Sequence, residues 1–400
     1  MKVLVLNSGS SSIKFQLIDV AQETVMAKGL IERVGFSDAI FSYQAPPKEK
    51  TKQRRPIPDY QTGIHLIKEA LVAPENGVIR DMSQIEAVGH RIVHGGEEFS
   101  DAVIINDDVI RSVEKNIELA PLHNPPNLLG IRAARAELPN VPMVGVFDTA
   151  FHQTLPERAF VYALPYAYYE EKRIRRFGFH GTSHQYVAQR AAEFLDLELE
   201  HLRMITLHLG NGCSITAIDR GNSVDTSLGF GTMCGMPMGT RSGDVDPAIL
   251  LYLQEQEGYS AADVQRLLYK ESGMLGISGI SSDMREVEDL AAEGHLRARL
   301  ALEVFAYAAR KYIGAYAAVL GGLDVLVFTA GVGENSPILR KMICRDMEFL
   351  GISVDSEKND FKGQLREISA PSARVRTLVV PTNEELMIAK ETFRLVGESA

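Results

Sequence analysis

The sequence predicts a layered α/β protein built from two similar domains around a cleft. Strand-like and helix-like segments alternate along the chain, which is typical of α/β layering. A strand–turn–strand motif at the N-terminus recurs near the middle of the chain, which indicates an internal duplication. A chain of 400 residues is long enough for two domains, and the spacing of the two motifs puts the boundary near residue 150.

The first motif begins the chain. Residues 3–6 and 13–18 are rich in β-formers, and the second run places Ile13, Phe15 and Leu17 on one face. The turn between the two runs is dense in small hydroxyl side chains and backbone N–H groups, a combination that suits phosphate. The alternative is an ordinary hairpin with a serine-rich turn.

The second motif covers residues 203–219 and repeats the order of strand, Gly/Ser turn and strand. Ser214 and Ile215 occupy the places that Ser12 and Ile13 have in the first motif. A duplicated hairpin can be purely structural, but two turns of phosphate-binding composition in one chain favour a ligand-binding role.

Composition excludes some classes of partner. Lys and Arg number 42 against 52 Asp and Glu, a formal charge of −10, so we expect no nucleic-acid or membrane partner. The three cysteines lack CxxC spacing and indicate reduced thiols in a cytoplasmic protein. The chain begins directly with a strand, which leaves no room for a signal peptide. Charges interrupt the apolar pattern over 295–320, so we predict an amphipathic helix ended by Gly321 rather than a membrane span.

The remaining elements are predicted from local patterns. Residues 85–93 and 141–147 are typical of buried strands, whereas 44–58, with several prolines and basic residues, indicate a solvated surface excursion. Caps and turns predict the later elements: a helix over 183–197 capped by Ser183, a strand over 324–330, a helix begun by Ser336 and Pro337, and a last helix begun by Thr382 or Asn383.

Two arginines lie in glycine-rich, partly apolar surroundings. Arg91 lies in an apolar strand that ends in glycines, and Arg241 lies in the segment MGTRSGD over 238–244. An arginine in such a setting needs an anion, which is either a bound carboxylate or phosphate or an internal acidic side chain. The second occurrence favours an anion clamp over a structural ion pair.

Three further features are candidates for chemistry. Asp148 ends a buried strand, where ligands collect in α/β proteins, although an N-cap role would also explain it. His180 lies in the aromatic, glycine-rich segment FGFHGTSH over 177–184, where we favour a hydrogen-bond donor to a developing anion over a metal ligand. The segment GVGEN over 331–335 either brings its backbone close to a ligand or makes a tight turn between strand and helix.

Eight segments together resemble the acetate kinase family. They extend over essentially the whole chain in the family's order, which makes the match highly specific. The segments are NSGSSSIK (7–14), HRIVHGG (90–96), FDTAFH (147–152), RFGFHGTSH (176–184), HLGNG (208–212), MPMGTR (236–241), GVGEN (331–335) and NEE (383–385).

The resemblance implies a fold of the sugar-kinase, Hsp70 and actin kind. Two duplicated actin-like (ribonuclease H-like) βββαβαβα domains would lie around a nucleotide cleft. The N-terminal domain would comprise residues 1–150 joined by a C-terminal helix over 385–400, and the nucleotide-binding domain residues 151–384. The resemblance also implies reversible, direct in-line phosphoryl transfer from ATP to acetate, giving acetyl phosphate and ADP. It further implies dependence on Mg²⁺, for which Mn²⁺ can substitute, and a homodimer.

The resemblance assigns substrate-binding roles to four residues. Arg91 would hold the acetate carboxylate, and Val93, Leu122 and Phe179 would line the methyl pocket. Val93 follows Arg91 by two strand positions, so we expect their side chains to share a face.

Catalytic and metal roles follow from the same resemblance. Arg241 and His180 would stabilise equatorial oxygens of the transition state, and Asp148 is the third catalytic residue. Because acetate is ionised at neutral pH and needs no base, we favour an orienting role for Asp148 over the proton transfer that the family assigns to it. Asn7 and Glu384 would position Mg²⁺ directly or through water.

The largest set of residues implied by the resemblance binds ATP. Ser10, Ser12 and Lys14 would face its phosphates. The others are His208, Leu209, Gly210, Asn211, Gly212, Asp283, Met284, Arg285, Gly331, Val332, Gly333, Glu334 and Asn335.

Two alternatives stay open. A kinase of propionate or another short-chain acid in the same family would differ in its acyl pocket. An ATPase of the same superfold, such as a chaperone or filament protein, would lack the pair of Arg91 and Arg241 and would turn over without acetate.

Overall fold

The computed structural model describes residues 1–398, which cluster into two compact units. Unit 1 comprises Met1–Gln153 and the chain from Asn383 onward, and unit 2 comprises Thr154–Thr382. Asn383 and Glu384 therefore belong to unit 1, whereas the sequence-based boundary assigned them to the second domain.

Unit 1 contains an eight-stranded sheet. Its strands are β1 (Lys2–Gly9), β2 (Ser12–Asp19), β3 (Thr24–Glu32), β4 (Phe36–Gln44), β5 (Thr51–Ile57), β6 (Ala87–Ile92), β7 (Val103–Ile104) and β8 (Met143–Phe147). Their order in the sheet is β5-β4-β3-β2-β1-β6-β8-β7, in which β1 to β5 form an antiparallel meander. Strand β6 pairs in parallel with both β1 and β8. The first helices of the unit are α1 (Tyr60–Val72), α2 (Asp107–Lys115) and α3 (Asn124–Glu137).

The core of unit 1 begins with the alternating face of β2. Ile13, Phe15 and Leu17 are fully buried while Lys14 is exposed, which confirms the face predicted from the sequence. Helix α1 lies directly against this face, since a Cβ added at Gly63 would come within 2.8 Å of the Ile13 side chain. The glycine therefore permits a close approach of helix and sheet that a larger residue would prevent.

The surface excursion predicted over 44–58 is wrong in its second part. Residues Thr51–Ile57 form the edge strand β5, in which every residue except Ile57 is exposed. A strand with one buried residue has no apolar alternation for the sequence analysis to detect. Its charged side chains suit an exposed edge, because they disfavour pairing with another chain.

Unit 2 contains a six-stranded sheet of order β11-β10-β9-β12-β14-β13. These strands are β9 (Arg203–Leu209), β10 (Cys213–Asp219), β11 (Asn222–Thr226), β12 (Val325–Thr329), β13 (Arg366–Glu367) and β14 (Arg376–Val379). The helices are α4 (Glu157–Phe160), α5 (Ala167–Lys172), α6 (Gly181–Leu195), α7 (Pro247–Gln256), α8 (Ala261–Arg266), α9 (Gly273–Ser278), α10 (Met284–Ala292), α11 (Leu296–Leu320), α12 (Ala330–Asn335), α13 (Pro337–Cys344) and α14 (Ser356–Asn359). The last helix, α15 (Glu384–Glu398), belongs to unit 1.

The two sheets share one core topology. Strands β1 to β3 and strands β9 to β11 are antiparallel meanders. Strand β12 pairs in parallel with β9 as β6 does with β1, and β14 pairs with β12 as β8 does with β6. The two motifs found in the sequence are the hairpins β1–β2 and β9–β10, so the prediction of a duplicated α/β architecture is confirmed.

Most of the predicted helix boundaries are confirmed. The Ser336 hydroxyl accepts from the Leu339 N–H at the start of α13, and the Asn383 side chain accepts from the Leu386 N–H at the start of α15. Gly321, at φ +66°, ends α11 in the left-handed conformation that favours glycine. No helix described over residues 1–398 has the length and apolar character needed to cross a bilayer.

The structure differs from two local expectations near the site. Helix α6 begins at Gly181 rather than near Ser183, whose hydroxyl instead bonds the Thr382 hydroxyl and the His208 ring. The segment GVGEN lies inside the short helix α12, so the tight turn, one of the two interpretations given for these glycines, does not form.

Candidate active site

Arg91 and Asp148 form a bidentate ion pair in unit 1. Arg91 Nε lies 2.9 Å from Asp148 Oδ1, and Nη2 lies 2.6 Å from Oδ2. The pair is set by the parallel strands β6 and β8, since Arg91 is near the end of β6 and Asp148 follows the last residue of β8. The side chains are 23% and 3% exposed respectively. The internal acidic partner considered for Arg91 is therefore present.

This ion pair controls the charge of Arg91. Burial by itself lowers the pKa of the guanidinium. The charge and hydrogen bonds of Asp148, together with the charges of Glu384 and Glu385, outweigh burial and raise that pKa above its ordinary value. Arginine has five N–H donors, of which Asp148 engages those on Nε and Nη2. The geometry thus presents a permanently charged guanidinium that is held on one side by both oxygens of the Asp148 carboxylate.

The residues predicted to line the acyl pocket are divided between the two units. Val93 is 8% exposed and lies one residue beyond the end of β6, where its N–H donates to Asn127 Oδ1 at 3.0 Å. We expected Val93 to lie on the same strand as Arg91, but the strand ends one residue before it. Leu122 is 67% exposed in unit 1, while Phe179 is buried in unit 2.

The predicted metal residues lie at the N-terminal end of unit 1 and at the start of α15. Asn7 pairs across the hairpin with Lys14, and Lys14 forms an ion pair with Glu385, the neighbour of Glu384. Burial raises the pKa of Glu384, and the nearby Asp148 and Glu385 carboxylates add to that rise, while Arg91 and Lys14 oppose it. A nearby cation would offset this cost of an ionised Glu384.

The donor set at this end of unit 1 fits magnesium. An amide oxygen from Asn7 and carboxylate oxygens from Glu384 are hard ligands. Residues 1–398 contain no group of three His, Cys, Asp or Glu side chains that could hold a metal ion.

The serine-rich turn predicted to face phosphates joins β1 to β2. Ser12 pairs with Gly9 across the turn, and Ser10 is exposed. Lys14 was also predicted to face phosphate, and its ammonium group forms an ion pair with the Glu385 carboxylate.

A cavity of about 850 Å³ lies in unit 2 and is lined by half of the residues predicted to bind ATP. It is bounded by the β9–β10 turn, the start of α10 and helix α12. The predicted residues that line it are Gly210, Asn211, Asp283, Met284, Arg285, Gly331, Val332 and Asn335. Three segments distant in sequence therefore form one cavity of a size that suits a nucleotide.

Other predicted nucleotide residues belong to the same elements without lining this cavity. His208 and Leu209 end β9, Gly212 lies in the turn that follows, and Gly333 and Glu334 lie in α12. Burial raises the pKa of the Glu334 carboxyl, which accepts from the Thr382 N–H at 3.0 Å.

The sequence analysis missed several residues of the cavity wall. They are Cys213, Met238, Gly239, Ser282, Glu288, Asp289, Phe305, Ser336 and Lys362. Gly239 illustrates why: a Cβ there would lie 2.9 Å from the Ser282 carbonyl oxygen and 3.3 Å from Asn211 Oδ1. The glycine is required by an approach of distant loops, which the glycine-rich composition of its own segment does not reveal.

Arg241 and His180 converge above Gly212. A Cβ added at Gly212 would lie 2.9 Å from Arg241 Nη2 and 3.2 Å from His180 Nε2. His180 precedes α6 with φ +57°, and its ring stacks on that of His208 at 4.2 Å between centroids. The absence of a side chain at Gly212 leaves room in front of both groups.

This cluster has the character of an anion site. Burial lowers the pKa of Arg241, so an anion beside the guanidinium would stabilise its charge. The Arg241 backbone is fixed as well, because its carbonyl accepts from the Met238 N–H at 3.0 Å. A fixed cation and an imidazole directed at one point can stabilise charge that develops on a phosphoryl group.

The chain is similar to known proteins over nearly its whole length. The family model described as the Acetokinase family matches residues 2–390. The acetate kinase of Carboxydothermus hydrogenoformans is 55% identical over 396 residues, which are 99% of each chain.

Solved structures give the same result. The crystal structure of Porphyromonas gingivalis acetate kinase superposes with a TM-score of 0.96 at 48% identity, covering 99% of both chains. A propionate kinase from Francisella tularensis superposes with a TM-score of 0.91 at 41% identity, covering 98% of this chain and 99% of that one. The chain is therefore a member of the acetokinase family, phosphotransferases that act on a carboxyl group.

Proposed function

We propose that this protein catalyses the reversible, Mg²⁺-dependent transfer of the terminal phosphoryl group of ATP to acetate, giving acetyl phosphate and ADP. The convergence of Arg241 and His180 above Gly212, beside the nucleotide cavity, is the observation that carries this proposal. Phosphoryl transfer depends on alignment and charge stabilisation more than on covalent help from the protein, and this cluster offers both.

Unit 2 would bind the nucleotide and stabilise the transferred group. The cavity walls at Gly210, Asp283 and Gly331 would hold the nucleoside part of ATP. Arg241 Nη2 and His180 Nε2 would donate to the equatorial phosphoryl oxygens, where charge accumulates in an in-line transition state. The serine-rich turn and Lys14 of unit 1 would contact phosphates, with Lys14 exchanging its Glu385 partner for one of them.

Unit 1 would bind the acyl substrate. Arg91 has donors beyond those that Asp148 engages, and the planar guanidinium matches a carboxylate. Val93 and Leu122 would contact the methyl group. A ligand that covers Leu122 would remove apolar surface from water, because this side chain is 67% exposed in the described structure.

Asp148 would orient Arg91 rather than transfer a proton. Both Asp148 oxygens already accept hydrogen bonds from the Arg91 guanidinium. Acetate is ionised at neutral pH, so it has no proton for Asp148 to remove. Asn7 and Glu384 would hold Mg²⁺. The ion would neutralise phosphate charge, while the protein groups align the carboxylate and stabilise the transferred group.

The direct test of function measures ADP formation by the purified protein with MgATP, with and without acetate. We expect turnover that depends on acetate. An equal rate without acetate would identify an ATPase of the same superfold and overturn the proposal.

A second candidate, propionate as the main substrate, is favoured by the similarity to a propionate kinase. We expect a higher kcat/KM for acetate, because in the proposed pocket Val93 would limit the space beyond the carboxylate. Val93→Ala should move the ratio of kcat/KM towards propionate about fourfold, the value of one buried methylene at about 0.8 kcal/mol. A ratio that does not change would remove Val93 from the acyl pocket.

We also propose that the enzyme is a homodimer of the cytoplasm. Helix α7 has no buried residue in the single chain, and Ile249, Leu251 and Tyr252 are each at least half exposed. An apolar helix face of this kind is typical of an interface. Light scattering should give twice the chain mass, and Leu251→Glu should shift it to the mass of one chain. A wild-type monomer would exclude the dimer.

The cytoplasmic assignment rests on different residues. Cys213 and Cys344 are buried free thiols, which suits a reducing compartment. Fractionation of cells should recover the activity with the cytoplasmic fraction, and its recovery in another compartment would contradict this assignment.

A further inference from the structure

We infer that Asn127 is a positioning residue that fixes Val93 in the proposed acyl pocket by holding the end of β6 to the end of β1. The inference deepens the proposed function and rests on it, since it concerns the wall that would contact the acyl group. The side chain of Asn127, in the first turn of α3, bonds backbone groups, so it acts through the chain that it holds.

The Asn127 side chain bridges two separate segments of unit 1. Its Oδ1 accepts from the Val93 N–H at 3.0 Å, and its Nδ2 donates to the Ser8 carbonyl at 2.7 Å. The two partners determine which end of the amide is which, because a backbone N–H only donates and a carbonyl only accepts. Asn127, Val93 and Ser8 are all buried. Loss of the amide would therefore leave two buried backbone groups without this partner, which is costly.

The bridge lies where the pairing of the two strands stops. The paired residues of β1 and β6 end at Leu6 and His90, and both Ser8 and Val93 lie beyond them. A side-chain amide has the same donor and acceptor as a peptide group, so it supplies here the connection that the strand ladder no longer makes. The separation of the two strand ends therefore depends on Asn127.

Helix α3 is itself held firmly at this place. A Cβ added at Gly130 would overlap the Ser8 side chain, so the helix lies directly on the end of β1. Asn124, three residues before Asn127 and on the same side of the helix, accepts from the His94 N–H at 3.2 Å and donates to the His94 carbonyl at 3.0 Å. The helix is therefore a fixed support for the amide that it carries.

Both aliphatic residues proposed for the acyl pocket in unit 1 depend on α3. Val93 is held by Asn127, and Leu122 lies two residues before the helix begins. On the β1 side, Ser8 directly follows Asn7, which would hold Mg²⁺. One side chain thus fixes the wall that would contact the methyl group relative to the strand that carries the proposed metal ligand. A shift of this wall should weaken acetate binding and admit a longer acid.

The test compares Asn127→Leu with the matched control Asn116→Leu. Asn116 is as buried as Asn127, and its amide donates to the Ser112 carbonyl at 3.1 Å instead of the Ser8 carbonyl. We expect Asn127→Leu to raise KM for acetate about tenfold, the effect of one hydrogen bond lost from the binding wall. KM for ATP should not change, because Asn127 does not line the nucleotide cavity. An unchanged KM for acetate, or the same rise in Asn116→Leu, would overturn the inference.

A double-mutant cycle tests whether Asn127 acts through Val93. Asn127→Leu should move the ratio of kcat/KM towards propionate by up to about fourfold, the value of one methylene. In the Val93→Ala background it should have much less effect, because the side chain that it displaces is already removed. Equal effects in the two backgrounds would contradict the inference. If Asn127→Leu does not fold, Asn127→Ser enters the same cycle, since its hydroxyl can still bond one of the two backbone groups.

Amide hydrogen exchange separates a failure of this inference from a failure of the proposed function. Exchange at the Val93 N–H should be faster in Asn127→Leu than in the wild type, and unchanged in Asn116→Leu. If the wild type makes no acetyl phosphate, the proposed function fails, and exchange still decides whether Asn127 holds Val93. If the wild type makes acetyl phosphate and Asn127→Leu changes neither the exchange nor KM for acetate, the function stands and the positioning role fails.

Discussion

Replacing Asp148 by asparagine separates an orienting carboxylate from a proton-transferring one. The asparagine has the same shape but presents an amide N–H₂ to one of the two guanidinium nitrogens that the carboxylate now binds at 2.9 and 2.6 Å. Breaking a buried ion pair costs about 3–5 kcal/mol. Because the Arg91 side chain is 23% exposed, we take the lower end, about 3 kcal/mol. At about 1.4 kcal/mol per factor of ten, kcat/KM for acetate should fall about 10²-fold.

The assay measures initial rates against acetate and, separately, against ATP. We expect a large rise in KM for acetate and no change in KM for ATP, because neither Asp148 nor Arg91 lines the nucleotide cavity. The matched control is Asp324→Asn, which breaks another bidentate pair, with Arg203 at 2.9 and 2.8 Å, away from the predicted site residues. A loss confined to kcat, with KM for acetate unchanged, would refute the orienting role.

The same pair predicts an effect on stability. Arg91→Ala leaves the Asp148 carboxylate buried without its cation, so the free energy of unfolding should fall by about 3 kcal/mol beside the loss of activity. Adding Asp148→Asn to Arg91→Ala should recover part of that stability and none of the activity. An Arg91→Ala protein as stable as the wild type would show that the pair contributes little to folding.

Three further variants test other parts of the account. Glu384→Ala should raise the Mg²⁺ concentration needed for half-maximal rate with little change in Tm, whereas a role limited to the start of α15 would lower Tm and leave the Mg²⁺ dependence unchanged. Gly212→Ala should lower kcat at least about tenfold, since its Cβ would fill the space in front of the two catalytic side chains; unchanged kcat would remove that space from the reaction. Burial lowers the pKa of His90 to about 3, below the unfolded value of about 6.5, so its contribution to stability is complete above pH 6.5 and is lost on acidification. At pH 5 this loss is about 2 kcal/mol, and urea unfolding of His90→Leu should lack it; a parallel loss in the variant would contradict the assignment.

The sequence predicted the candidate site best where the site residues lie in short contiguous segments. The segments around Gly210, Asp283 and Gly331 were each predicted to bind nucleotide, and the structure gathers them at one cavity. Gly239 and Lys362 line the same cavity but were missed, because their place depends on the approach of loops far apart in the chain.

Predictions from local patterns were wrong where a side chain makes contacts with residues distant in sequence. Ser183 has the composition of an N-cap, yet its hydroxyl bonds His208 and Thr382 while the helix begins earlier. The strand Thr51–Ile57 was missed because its edge position exposes nearly all of its residues. The sequence left open whether Arg91 pairs with a bound anion or with an internal acidic side chain. The pair with Asp148 forms because the register of β6 and β8 places the two residues side by side, which the sequence alone does not give.

The central claim is that the phosphoryl group passes from ATP to acetate. The most direct measurement incubates the enzyme with MgATP and acetate, traps the acyl phosphate with hydroxylamine, and compares the acetohydroxamate with the ADP formed. The account predicts one acyl phosphate for each ADP and no ADP above background without acetate. ADP released with inorganic phosphate and no hydroxamate would contradict it.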